Sequence, residues 1–132
     1  MKKYLIDSDI LIYFLKGKQE VVQMLSQIPI DDLYISRINY TELIYGAYNS
    51  SKINQNLKII EPFLENFKIL EFTQASSLVF AKEKVRLKKN GNIIADMDLM
   101  IASIAIANDC TLISNNIKHF DRIQNLELKP KL

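Results

Sequence analysis

A single cysteine, Cys110, stands in the 132 residues of the chain. One thiol excludes an intramolecular disulfide framework and the paired thiols of a zinc ribbon, and it suits a reducing compartment. Its neighbours assign it to packing as a small buried side chain rather than to nucleophilic chemistry. Glycine and proline are scarce, three of each, and there is no Pro/Gly-rich linker, internal repeat or low-complexity segment at which the chain would divide. Long hydrophobic runs are missing too, because charges interrupt each apolar stretch before it reaches membrane-spanning length. The start, MKKYLIDSDILIYFLKG, has the lysines and hydrophobics of a signal peptide. However, Asp7 and Asp9 fall where its apolar centre should be, and no small-residue cleavage site follows. A cytoplasmic protein without membrane attachment is expected. A large excess of one charge is also absent: the net charge of +2 points to no partner class, leaving only local basic patches to consider.

What is present is an ordinary globular composition, 48% hydrophobic and 24% charged, in a chain long enough for one sizeable core. A single domain over residues 1–132 is expected. Short apolar runs alternate with longer helical patterns. Residues 3–7, 33–36, 68–72 and 111–114 read as strands, with an edge strand at 126–128. Helices are expected at 8–16, 19–27, 37–48, 54–66, 74–89 and 96–108, and a short one runs to about residue 123. Strands that lack clean alternation and are separated by helices imply a parallel sheet covered on both faces. The expected fold is therefore a three-layer α/β/α sandwich with a central parallel sheet of four to five strands. In such sheets ligands bind beyond the carboxyl ends of the strands, where the connections reverse direction. Asp7 ends the first strand, and Ser36 ends the second with Glu42 on the helix after it. Asp98 lies in the first turn of the helix before the fourth strand, and Ser114, Asn115 and Asn116 follow that strand.

The acidic residues at these ends are unusual in their surroundings. In IIADMDLMIASIAIA, the positions three, four and seven residues after Asp98 are Ile101, Ala102 and Ala105, an apolar stripe that should face the core. An ionised carboxylate there is costly unless it is paired or holds a metal. Asp96 lies off that stripe and suits a cap or a favourable charge at the positive helix end. Asp7 interrupts a hydrophobic run, whereas Asp9 reads as a helix-start residue. Glu42, in RINYTELIYGAY, has Ile38 and Tyr45 near it on its helical face. Clustered carboxylates repel unless a cation joins them, and hard oxygen ligands completed by water select Mg²⁺ or Mn²⁺. Such an ion activates water and steadies the charge on a phosphodiester under in-line attack.

The segments YLIDSDILIYFLKG, ISRINYTELIYGA and GNIIADMDLMIASIAIANDCTLISNNIKHFDRIQNLEL, in that order, resemble the PIN-domain ribonuclease family in its VapC-type toxin branch. The resemblance covers nearly the whole chain. It implies that Asp7, Glu42 and Asp98 are the catalytic, metal-binding acids. Asp96 matches a position that is acidic in some relatives. Asn116 stands where many members carry an aspartate, giving a neutral fourth ligand that would hold water or substrate. Ser36 and Ser114 match small hydroxyl positions that line or brace the site. His119 falls at a variable position and is read as a surface or packing residue. The family further implies Mg²⁺- or Mn²⁺-dependent cleavage of RNA, often tRNA, and homodimerisation. It also implies inhibition by a cognate VapB-type antitoxin, whose C-terminal segment wraps the toxin and places a basic side chain in the acidic pocket. Operator DNA would be met only through the antitoxin.

An acidic pocket repels phosphate, so RNA binding needs cations at its rim. The densest run, Lys82, Lys84, Arg86, Lys88 and Lys89, is scattered over more than one helical face, diluted by Glu83, and reads as a solvated surface. Arg37, just after the second strand, is better placed to touch a phosphate near Glu42. Tyr40, Tyr45 and Tyr48 read as core or dimer packing. Two alternatives compete with the nuclease. DSDIL after a first strand also fits a haloacid-dehalogenase-type phosphatase, with Asp7 as nucleophile forming an aspartyl-phosphate and DMD as a metal pair. The chain offers no convincing lysine for that chemistry. The other alternative is a PIN-like module that binds RNA or a partner without cleaving.

Overall fold

Five short strands form one parallel sheet: β1 Lys3–Ile6, β2 Leu33–Ser36, β3 Lys68–Leu70, β4 Cys110–Ile113 and β5 Glu127–Lys129, in the order β3-β2-β1-β4-β5. The computed structural model describes residues 2–130, so Met1, Lys131 and Leu132 of the expected 1–132 domain lie outside the described residues. Parallel neighbours require crossovers, and helices supply them. Helices α1 (Ser8–Leu15) and α2 (Gln19–Ser26) join β1 to β2, and α3 (Arg37–Tyr48) and α4 (Ile53–Leu64) join β2 to β3. Helices α5 (Gln74–Lys89) and α6 (Asp96–Ala107) lead back to β4, and α7 (Ile117–Phe120) precedes β5. The chain thus builds outward on one side of β1 and then crosses to the other. The reversal falls between β1 and β4, whose carboxyl ends lie side by side through the pairing of Ile6 with Ile113. The expected α/β/α sandwich is the observed one, with five strands.

Alternation within the strands divides the core in two. Leu5 and Leu112 point to one face, where Leu99, Ile101, Ile104, Leu87 and Phe120 cover them from α5, α6 and α7. Ile6 and Ile113 point to the other, against Ile10, Leu11, Leu43 and Leu64 from α1, α3 and α4. Because both faces are covered, β1 and β4 have no polar alternation, which is why they read as continuous apolar runs. Helix α6 buries Leu99, Ile101, Ala102, Ile104 and Ala105, so it is apolar around most of its circumference beyond the first turn.

The element boundaries differ from the sequence reading where capping competes with pairing. β1 stops at Ile6 because Asp7 leaves the strand to cap α1, accepting from the Ser8 backbone at 2.9 Å. β3 ends at Leu70 rather than residue 72, shortly before Thr73 caps α5. β4 begins one residue early, at Cys110, because Asp109 (φ 54°) takes the left-handed turn that closes α6. Cys110 is buried, and that burial pushes its thiol up to about 11, consistent with a packing role.

Leu112 is fully buried on β4, an interior strand between β1 and β5. Leu112→Ala should therefore lower the unfolding free energy by about 2–5 kcal/mol in a urea titration. A midpoint equal to wild type would contradict its place at the centre of the core.

Candidate active site

The carboxyl ends of β1 and β4 set the floor of an open cleft of about 390 Å³, lined by Asp7, Ser8, Asp9, Glu42, Asp98, Asn115 and Asn116. Asp7 and Asp9 come from the start of α1, Glu42 from the second turn of α3, and Asp98 from the first turn of α6. The backbone N–H of Asp7 donates to the Ile113 carbonyl at 2.9 Å, which ties the start of α1 to the end of β4. The three acids expected to act together thus share one cavity, and Asn116 borders it.

Asp7 is buried and surrounded by neutral donors. Its Oδ1 accepts from Ser8 N at 2.9 Å and from Asn39 Nδ2 at 3.3 Å, and its Oδ2 accepts from Ser114 Oγ at 2.7 Å. A carboxylate offers about four acceptor directions, so about one remains, on Oδ2, for a further donor or a cation. Ser8 Oγ donates to Glu42 Oε1 at 2.6 Å and accepts from Asn39 Nδ2 at 3.0 Å. Asp9 accepts from Ile10 N at 2.7 Å through Oδ1 and from Asn115 N at 3.0 Å through Oδ2. On the far side, His119 Nδ1 lies 3.4 Å from Asp98 Oδ2 and 2.9 Å from Asn116 Nδ2.

Crowding of carboxylates in one cleft adds to the cost of ionising Asp7, Asp9 and Glu42. Burial first, then the neighbouring charge of Asp9 and, more weakly, of Glu42, push Asp7 up to about 7, although its hydrogen bonds from Ser114 and Ser8 pull the other way. Asp9 and Glu42 are also raised, by burial first, with the charge of Asp98 contributing to both. Among the described residues no lysine or arginine lines the cleft to offset this. The lysine that the phosphatase chemistry requires is likewise not among the lining residues.

Other residues singled out in the sequence fall elsewhere. Ser114 braces Asp7 directly and accepts from Asn116 N at 3.0 Å. Ser36 is buried behind the cleft as the cap of α3, reaching the acids only through Asn39. Asp96 is exposed outside the cleft, where Lys84 Nζ pairs with it at 2.9 Å. Arg37 is turned away toward β3: its guanidinium pairs with Glu71 at 2.7 Å and lies over the Tyr40 ring. The basic run on α5 is divided, since Arg86 is spent on Glu83 and on the Arg122 carbonyl. Reading the sequence missed Ser8, Asp9, Asn39 and His119 as members of the site. Asp9 does serve the helix start, as expected, but its second oxygen reaches across to Asn115. The Ser-x-x-Asn pattern at the start of α3 is a capping-box signature and was the one local signal for Asn39. His119 gave none, because its contact with Asp98 exists only once α7 folds against α6.

Oxygen donors crowded without a compensating charge fit a hard divalent cation. Among the described residues no three acidic, histidine or cysteine side chains form a ready-made ligand set. The protein would supply part of the coordination shell of a divalent cation and water the rest.

The PIN domain family model matches residues 4–126. Ribonuclease VapC1 of Haemophilus influenzae is 36% identical over 126 residues, spanning 94% of each chain. The tRNA(fMet)-specific endonuclease VapC of Salmonella typhimurium is 26% identical over 129 residues, 98% of each chain. Among solved structures, VapBC2 from Rickettsia felis, bound to a DNA fragment from its promoter, contains a chain that superposes with a TM-score of 0.89 at 34% identity, covering 96% of this chain and 97% of that one. The chain belongs to the PIN domain family, in its VapC ribonuclease branch.

The raised Asp7 pKa makes stability pH-dependent with a definite sign. An acid raised from 3.8 to about 7 by folding contributes stability that is complete below the lower value and is lost as pH rises through the upper one. The loss amounts to at most about 4 kcal/mol. With a chelator present, Asp7→Asn should therefore gain stability relative to wild type between about pH 4 and pH 8. A wild-type-to-variant gap that stays constant across that range in urea titrations would contradict the placement of Asp7.

Proposed function

We propose that this protein is an endoribonuclease of the toxin–antitoxin type, hydrolysing RNA phosphodiester bonds at the cleft between β1 and β4. The observation that carries the reading is the gathering of Asp7, Glu42 and Asp98 around one cavity at the point where the sheet reverses. Asp7, Glu42 and Asp98 would hold Mg²⁺ or Mn²⁺. When bound, the ion supplies Lewis acidity and a water of lowered pKa. The chain's own groups do the positioning: Ser114 and the Ser8 backbone fix the two oxygens of Asp7, and the Ser8 hydroxyl fixes Glu42. Asn116 borders the cleft as a neutral group able to hold substrate or water.

Transfer RNA is the substrate class to test first, since the Salmonella relative carries that specificity in its name. A VapB-type antitoxin is the proposed protein partner, because the Rickettsia relative is a VapBC complex. An apolar groove of about 640 Å³ supports this: it starts at Glu42 and runs between α1, α3 and α4 past Ile12, Leu43, Ala47 and Ile59. An amphipathic segment lying there would end at the acidic cleft, where a basic side chain would find the missing positive charge. Operator DNA would be reached only through that partner. The active species is proposed to be a homodimer in the cytoplasm; among the described residues no helix is long and apolar enough to cross a membrane.

Incubating the protein with labelled tRNA and Mn²⁺ or Mg²⁺, beside Asp7→Asn, Glu42→Gln and Asp98→Asn, tests the reading. Wild type should cut at defined positions, and each variant should be slower by at least about 100-fold. Equal cleavage by wild type and all three variants would mean that the cleft is not the active site.

A further inference from the structure

We infer that Asn39 is a positioning residue that ties Asp7 to Glu42 through the hydroxyl of Ser8, an inference that rests on reading those two acids as partners around a divalent ion. Asn39 is fully buried in the first turn of α3, three residues before Glu42 and so on the same side of the helix. Its amide orientation follows from its neighbours. The backbone N–H of Ser36 can only donate, and it meets Oδ1 at 3.2 Å; Ser36 Oγ lies 2.6 Å from the same oxygen. The NH₂ group must then face the other way, toward Asp7 Oδ1 at 3.3 Å and Ser8 Oγ at 3.0 Å. Both amide protons and the carbonyl oxygen are thereby in use.

The Ser8 hydroxyl has a single proton. Because Oγ accepts from Asn39, that proton is directed to Glu42 Oε1, 2.6 Å away. One neutral side chain thus reaches two acids, directly to Asp7 and by one relay to Glu42. These acids sit on different crossovers and would otherwise separate by mutual repulsion. A capping role alone does not account for this arrangement. The cap of α3 uses the Asn39 backbone N–H and Oδ1, and a glutamine or glutamate at this position would serve it as well. The two N–H donors are what the acids use.

The distinguishing measurement is Mn²⁺ affinity of the folded protein, read by electron paramagnetic resonance of the free ion, together with the urea midpoint. Asn39→Ala and Ser8→Ala should each weaken Mn²⁺ binding by about 10-fold or more. Because both act through one chain of hydrogen bonds, the double variant should lose less than the product of the two single losses. If Asn39→Ala lowers only the urea midpoint and binds Mn²⁺ as wild type does, Asn39 is a cap residue and the inference is overturned. Should Asn39→Ala fail to fold, Ser8→Ala decides alone, with wild-type Mn²⁺ affinity overturning the relay. Asp7→Ala separates the levels. Unchanged Mn²⁺ binding in that variant removes the metal reading and the inference together. Lost binding there, with wild-type binding in the other two variants, removes the inference only.

Discussion

Repulsion among buried and half-buried carboxylates is the constraint around which this molecule is arranged. Asp7, Asp9, Glu42 and Asp98 line a single cleft, and the groups that face them from the protein are hydroxyls, amides, backbone N–H donors and the His119 ring rather than ammonium or guanidinium groups. Neutral donors orient a carboxylate without cancelling its charge. A lysine in the same place would stabilise the folded chain and leave nothing for a cation to do. Holding charge in reserve costs stability at neutral pH, and the two-sided apolar core of the sheet is what makes that cost tolerable.

The topology explains why this cluster forms where it does. Helices α1 and α3 leave directly from the carboxyl ends of β1 and β2, which brings Asp7, Asp9 and Glu42 to one edge of the sheet. Helix α6, which follows α5 and runs back to β4, opens at the same cleft with Asp98. Reversal of strand order between β1 and β4 parts the helices there and opens the space that the acids line. Asp7 belongs to this geometry twice. It is the cap that ends β1 and starts α1, and it is the most deeply buried of the four acids. Its backbone bond to Ile113 makes the position of its carboxylate a property of the sheet rather than of a loop.

Much of this was legible in the residues, for identifiable reasons. Apolar runs such as those of β1 and β4 are characteristic of strands covered on both faces, and Asp98 at the head of an otherwise apolar helix has few structural explanations. Glu42 was less distinct locally, and its importance emerges only from the cavity it shares with α1 and α6. Sequence proximity is a poor guide to partners across crossovers. Arg37 is five residues from Glu42 in sequence, yet Glu71, just past the end of β3, pairs with it and takes it out of the cleft. Asp96, which already read as lying off the core-facing stripe, turns outward, and what the sequence did not reveal is its partner Lys84. Asn39 and His119 enter the site through contacts made by other elements; the capping pattern of α3 marks Asn39 as a cap but not as a partner of Asp7, and nothing local marks His119.

Soaking crystals with Mn²⁺ and locating the ion by its anomalous scattering tests the central claim most directly. One dominant peak is expected in the cleft, with oxygens of Asp7, Asp98 or Glu42 at about 2.1 Å and water completing the shell. A saturating soak that leaves the cleft without a peak, or that places the ion on surface carboxylates away from Asp7, would contradict it.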